Sequence, residues 1–100
     1  MVRWSAHAKA QLRHIHDYIA QDSPLYAKRV NQELVLKTID LAELPRKGSK
    51  VPELNEDAVR ELALYSYRVL YEIKSGGLIE VLAVIHKRQR LEPEAIPRQQ

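Results

Sequence analysis

One hundred residues, 45% of them apolar, are enough for one compact domain and too few for two. Charged residues make up 29% of the chain with a net charge of only +3; the mixed signs exclude a disordered polyelectrolyte and lean mildly towards an acidic partner, nucleic acid or protein. There is no cysteine, which excludes disulfides, zinc ribbons and thiol catalysis, and no apolar run approaches membrane-spanning length.

The opening Met1-Val2-Arg3-Trp4-Ser5 has no apolar signal-peptide core and, with the lack of cysteine, fits the cytoplasm. Val2, Arg3 and Trp4 predict a brief strand at a sheet edge. Ser5 is a capping residue for a helix from residue 6 to about 21, with Ala8, Leu12, Ile15 and Ile19 as its apolar stripe. His7, His14 and His16 lack the i, i+4 spacing of a helical metal pair and read as solvated or packing side chains; neither a metal nor a cofactor is expected. Ser23 then caps a second helix that Pro24 opens, predicted over 24–44 and stopped by Pro45. So short a link makes the two helices an antiparallel hairpin. Ala27, Val30, Leu34 and Leu41 form its inner stripe. Leu25, Val35, Leu36 and Ile39 fall on the other side, as scattered surface apolars or as a docking surface.

Residues 45–57, with Arg46-Lys47-Gly48-Ser49-Lys50 and two prolines, predict a basic loop. Residues 58–64 resume β character. Tyr67, Val69, Tyr71 and Ile73 alternate with polar or outward residues, Ser75-Gly76-Gly77 breaks the run, and Ile79, Val81, Ala83 and Ile85 alternate again. This predicts the central antiparallel hairpin, ending in His86, Lys87, Arg88 and Arg90. A three-residue loop pairs Tyr71 with Val81 and puts Arg68 and His86 on one face, but it sets Glu72 across from Glu80. A two-residue loop separates Arg68 from His86. Residues 91–100, with Pro93 and Pro97, predict a loose tail beyond a single domain over 1–90.

The fold class is α+β: a short N-terminal strand and an antiparallel helical hairpin packed on a three- to four-stranded antiparallel sheet. The ordered set Trp4-Ser5, Asp17-Tyr18-Ile19, Val59-Arg60-Glu61-Leu62, Tyr67-Arg68-Val69-Leu70-Tyr71 and Glu80 to His86 resembles the RelE/ParE superfamily of toxins from type II toxin–antitoxin systems. The resemblance implies one of two activities. RelE-like members cut mRNA on the ribosome; ParE-like members inhibit DNA gyrase without cutting RNA. Cleavage through the 2′-hydroxyl needs a base, cations for the phosphate and an acid for the leaving oxygen. Arg68 and Arg88 match the RelE cations, and His86 stands where some superfamily nucleases place a histidine, although it reads first as a surface side chain at a strand end. Val59 and Glu61 stand where that pattern wants lysines, and Glu94 where it wants a tyrosine. The ParE-like branch is the expectation, with mRNA cleavage by Arg68, His86 and Arg88 as the alternative. The implied partners are gyrase and an antitoxin with an acidic, amphipathic C-terminal segment. Their expected contacts are Leu25, Val35, Leu36 and Ile39, with Arg60, Arg68, Lys87, Arg88 and Arg90 for charge.

Overall fold

The computed structural model describes residues 1–98. Strand β1 (Val2–Trp4) leads into helices α1 (Ala6–Ala20) and α2 (Pro24–Leu36), followed by β2 (Ser49–Lys50), β3 (Val59–Leu64), β4 (Tyr67–Ile73) and β5 (Ile79–His86). The caps act as the sequence predicts. Ser5 Oγ accepts from the Ala8 N–H at 3.0 Å, and Ser23 Oγ from the Tyr26 N–H at 3.1 Å, satisfying donors that a helix start leaves orphaned. Helix α2 ends at Leu36, short of the predicted residue 44. Thr38, buried, turns its hydroxyl onto the Val35 carbonyl, and the chain tightens into a 3₁₀ turn over Ile39–Ala42 that drives Leu41 into the core.

The sheet has five strands in the order β1-β5-β4-β3-β2. Strand count exceeds the three to four expected because two residues of the basic loop, Ser49 and Lys50, pair with Glu61 and Arg60. Tyr71 organises this loop. Its buried phenol donates to the Pro45 carbonyl (2.6 Å) and accepts from the Gly48 N–H (3.0 Å). A side chain at Gly48 would strike the Glu61 carbonyl, so only glycine lets the loop approach so closely. Strand β1 joins the edge in parallel with β5, Val2 to Ile79 and Trp4 to Val81, so the sheet is mixed. Beyond Val81, side chains of α1 and its cap serve the uncovered edge. Gln11 Oε1 accepts from the Val84 N–H (2.7 Å), and Ser5 Oγ donates to the Leu82 carbonyl (3.3 Å).

Both sheet faces are covered. Ala8, Val30, Leu34 and Leu41 pack on Val69, Tyr71 and Val81 under the helices. On the second face Val51, Leu70, Leu82 and Ile85 are covered by Leu54, Leu91 and Ile96. Residues 91–98 thus form no loose tail. Pro93–Ala95 is a 3₁₀ turn, Ile96 is buried, and Arg98 bonds Glu56 and Glu72, because the second face is apolar and needs a cover. Gln99 and Gln100 of the predicted tail lie outside the described residues. Among the described residues no helix is long and apolar enough to cross a membrane.

Candidate functional site

The β4–β5 hairpin decides which cations meet. Its loop is Ser75-Gly76-Gly77, closed by the Lys74 N–H on the Leu78 carbonyl at 2.8 Å, with both glycines at positive φ. Tyr71 pairs with Val81 and Glu72 with Glu80, the three-residue-loop register. The like-charge pair is tolerated because each carboxylate has its own cations: Arg98 on Glu72 at 2.7 Å, Arg3 and Lys74 on Glu80 at 3.0 and 2.9 Å. Burial pushes the Glu80 carboxyl up, and the Lys74 and Arg3 contacts outweigh it, so the net displacement is downward.

A bulge then changes the register. Leu70 pairs with Ala83 and Tyr71 with Val81, leaving Leu82 without a partner, so Tyr67 rather than Arg68 lies beside His86. Neither of the two registers read from the sequence contains this slip. It places Arg68 and His86 on opposite faces.

On the second face Arg68 is consumed by carboxylates. Its guanidinium is bidentate on Glu53 (2.8 and 2.9 Å) and also bonds Glu61, which raises its already high pKa and holds Glu53 below the usual carboxylate range. Arg60 is likewise engaged, with Asp57 Oδ1 (2.7 Å) and the Gly48 carbonyl (2.7 Å). Of the five basic residues expected to make contacts, the outward set is Lys87, Arg88 and Arg90. Arg90 pairs with Glu92 at 2.7 Å while remaining 89% exposed. Among the described residues the side chains of Lys87 and Arg88 have no ionic or hydrogen-bonding partner. Leu25, Val35, Leu36 and Ile39 are all exposed. The face of α2 that carries Leu25 and Leu36 also carries Arg29 and Gln32, at 100° per residue, so its apolar surface is broken into two ends.

On the helix face a groove of about 730 Å³ runs between α1 and the β3–β4 turn. His7, Gln11, His14 and Tyr18 of α1 line one wall; Tyr65, Tyr67 and His86 line the other. Tyr67 meets His86 edge-on with ring centroids 5.8 Å apart, and Tyr65 meets Tyr26 edge-on at 6.4 Å. The His86 Nδ1 accepts from the Arg88 N–H at 3.1 Å, which leaves Nε2 as the ring's free polar atom. Tyr65 has φ +54° at the first centre of a two-residue hairpin turn, a place glycine fills in II′ turns. A bulky ring held there is strained backbone beside a groove. The sequence reading did not single out this site, although the 4-3-4 spacing of His7, Gln11, His14 and Tyr18 marks a second stripe on α1. Among the described residues no three metal-ligating side chains come together to hold a metal ion.

Comparison with known proteins agrees with this architecture. A family model for the ParE toxin of the type II toxin–antitoxin system parDE matches residues 2–91. Toxin RelE2 of Caulobacter vibrioides is 34% identical over 85 residues, covering 85% of this chain and 92% of that protein. Among solved structures, the chromosomal ParDE toxin–antitoxin system of P. aeruginosa gives a TM-score of 0.70 at 25% identity, covering 85% of this chain and 92% of that one. The RelBE2 toxin–antitoxin complex of Mycobacterium tuberculosis shares the fold at a TM-score of 0.55 and 22% identity, covering 86% of this chain and 95% of that one.

Proposed function

The chain belongs to the ParE toxin family of type II toxin–antitoxin systems, and from that premise we propose that it arrests growth by binding DNA gyrase in the cytoplasm and that a cognate antitoxin neutralises it. One observation carries the choice of target. Arg68, the strand cation that an RNA-cleaving site would need beside the imidazole, lies on the face of the sheet opposite His86. Proton transfer and charge stabilisation act only on atoms within hydrogen-bond reach, so Arg68 and His86 serve no common phosphate. Arg68 faces two carboxylates, whose combined charge repels a phosphodiester.

The exposed Lys87, Arg88 and Arg90, with Leu25, Val35, Leu36 and Ile39, supply the surface for protein contacts. The antitoxin segment that suits this chain is acidic and amphipathic and folds as it binds.

Gyrase supercoiling measured with increasing toxin tests the reading. Inhibition with accumulation of gyrase–DNA cleavage complexes, relieved by the antitoxin, is the expected result. Unaffected supercoiling, with codon-positioned mRNA cuts in a translating extract that vanish in His86→Ala or Arg68→Ala, would establish the ribonuclease instead.

A further inference from the structure

We propose that the groove between α1 and the β3–β4 turn binds a small, uncharged heteroaromatic ligand of the nucleobase or nucleoside class. Gln11 and His86 are its hydrogen-bond donors, and tyrosine rings are its walls. This inference does not depend on the toxin reading above.

The two donors are fixed by bonds they already make. A backbone N–H can only donate, so whatever it meets must be the accepting end of a side chain. The Val84 N–H donates to Gln11 Oε1 at 2.7 Å, which leaves the Gln11 amide nitrogen, with both its hydrogens, as the free end. The Arg88 N–H donates to His86 Nδ1 at 3.1 Å, so the ring hydrogen sits on Nε2. Among the described residues neither nitrogen has a protein partner. Gln11 Nε2 is not a buried orphan, and His86 is exposed, so both remain open to a ligand. Gln11 meets β5 at Val84 and His86 lies two residues on, a separation of about 7 Å along the strand.

Charge and shape select the ligand. None of the residues lining the groove is Asp, Glu, Lys or Arg, so no fixed charge there compensates a phosphate or an ammonium. A volume of about 730 Å³ falls within the range of small-molecule sites, roughly 300–1,000 Å³. A planar ring with acceptors on separated edges can meet both donors in its plane while Tyr18, Tyr65 and Tyr67 offer apolar surface to its faces. Uracil has that pattern, two carbonyls flanking one N–H, and Ser66, whose hydroxyl can accept from such an N–H, lines the same groove. The backbone points the same way. Tyr65 is kept at φ +54°, where a bulky residue is costly, and its ring stands edge-on to Tyr26. Strain of this kind gathers at ligand clamps.

The experiment titrates the full ¹⁵N-labelled chain with uridine at pH 8 and follows the amide shifts by NMR. Saturable shifts are expected at the Val84 and Arg88 amides, the two anchors, with a dissociation constant on the order of 0.1–1 mM. Gln11→Glu keeps an oxygen for the Val84 N–H and removes the donor; His86→Phe keeps a ring and removes the donor. Each is expected to weaken uridine binding about fivefold or more. Should one variant fail to fold, the other decides alone. Shifts that do not saturate, or unchanged binding in a folded variant, overturn the proposal. Uridine 5′-monophosphate or a short oligouridine binding at least about tenfold tighter than uridine would assign the groove to a phosphate-bearing ligand, and that overturns it too.

Discussion

On the helix-covered face of the sheet, one groove is walled largely by rings: His7, His14, His86 and four tyrosines. On the other face stand full charges, and these are matched internally. Arg68 holds Glu53 and Glu61, Arg98 holds Glu56 and Glu72, and Arg3 and Lys74 hold Glu80. The difference shows how the arginines of a sheet face can be held by carboxylates of the same chain. Charge spent on internal pairs organises the fold, and a partner meets what is left over. Counting cations along a sequence therefore overstates the electrostatic surface, most of all in a sheet where strands bring arginine and glutamate onto one face.

Substitutions on the two faces separate these roles. Leu34→Ala, in the fully buried helix-face core, is expected to cost about 3 kcal/mol in urea unfolding. Arg68→Ala strands two partly buried carboxylates and is expected to cost about 2–3 kcal/mol, part of which returns in the Arg68→Ala, Glu61→Ala double variant. A smaller loss would mean that the charged face contributes little to folding. Ile96→Ala, beneath the C-terminal cover, is expected to cost about 1–2 kcal/mol because the site is peripheral and can collapse. Tyr65→Gly is the one expected gain, about 1 kcal/mol, read as a higher melting temperature.

Acid exposes the same division. The Arg68 contact lowers Glu53 from its ordinary 4.5, and Arg46 and Arg60 lower Asp57 from 3.8. Folded values below the unfolded ones mean that these carboxylates stabilise the fold fully above the unfolded values. That contribution is lost as pH falls through the folded ones. Calorimetry should show a melting temperature nearly level from pH 7 to about pH 5, falling steadily below about pH 4.

Much of this architecture was legible in the chain. Ser5, Ser23 and Pro24 announce two helix starts through local hydrogen bonding, and Ser75-Gly76-Gly77 announces a hairpin loop through backbone freedom. Such signals act over a few residues. The bulge at Leu82 is not of that kind: the groups that meet the backbone there, Ser5 on the Leu82 carbonyl and Gln11 on the Val84 N–H, come from more than 70 positions away. The end of α2 at Leu36 depends on Thr38 being buried, and the order of residues 91–98 depends on an apolar face elsewhere in the chain. The candidate site suffered most from that limit. Arg68, His86 and Arg88 are neighbours in a list of cations, yet one extra residue in β5 puts the first two on opposite faces.

The parallel pairing of β1 with β5 has a consequence for how the molecule comes into being. Arg3 and Glu80 are 77 positions apart, and the Ile79 N–H donates to the Met1 carbonyl at 2.9 Å. Contacts of such high sequence separation slow folding, because a long loop must close before it is rewarded. A nascent chain that has not yet reached residue 79 has no strand on which β1 can add. The sheet therefore closes only once β5 has been made, and until then β1 waits without its partner strand.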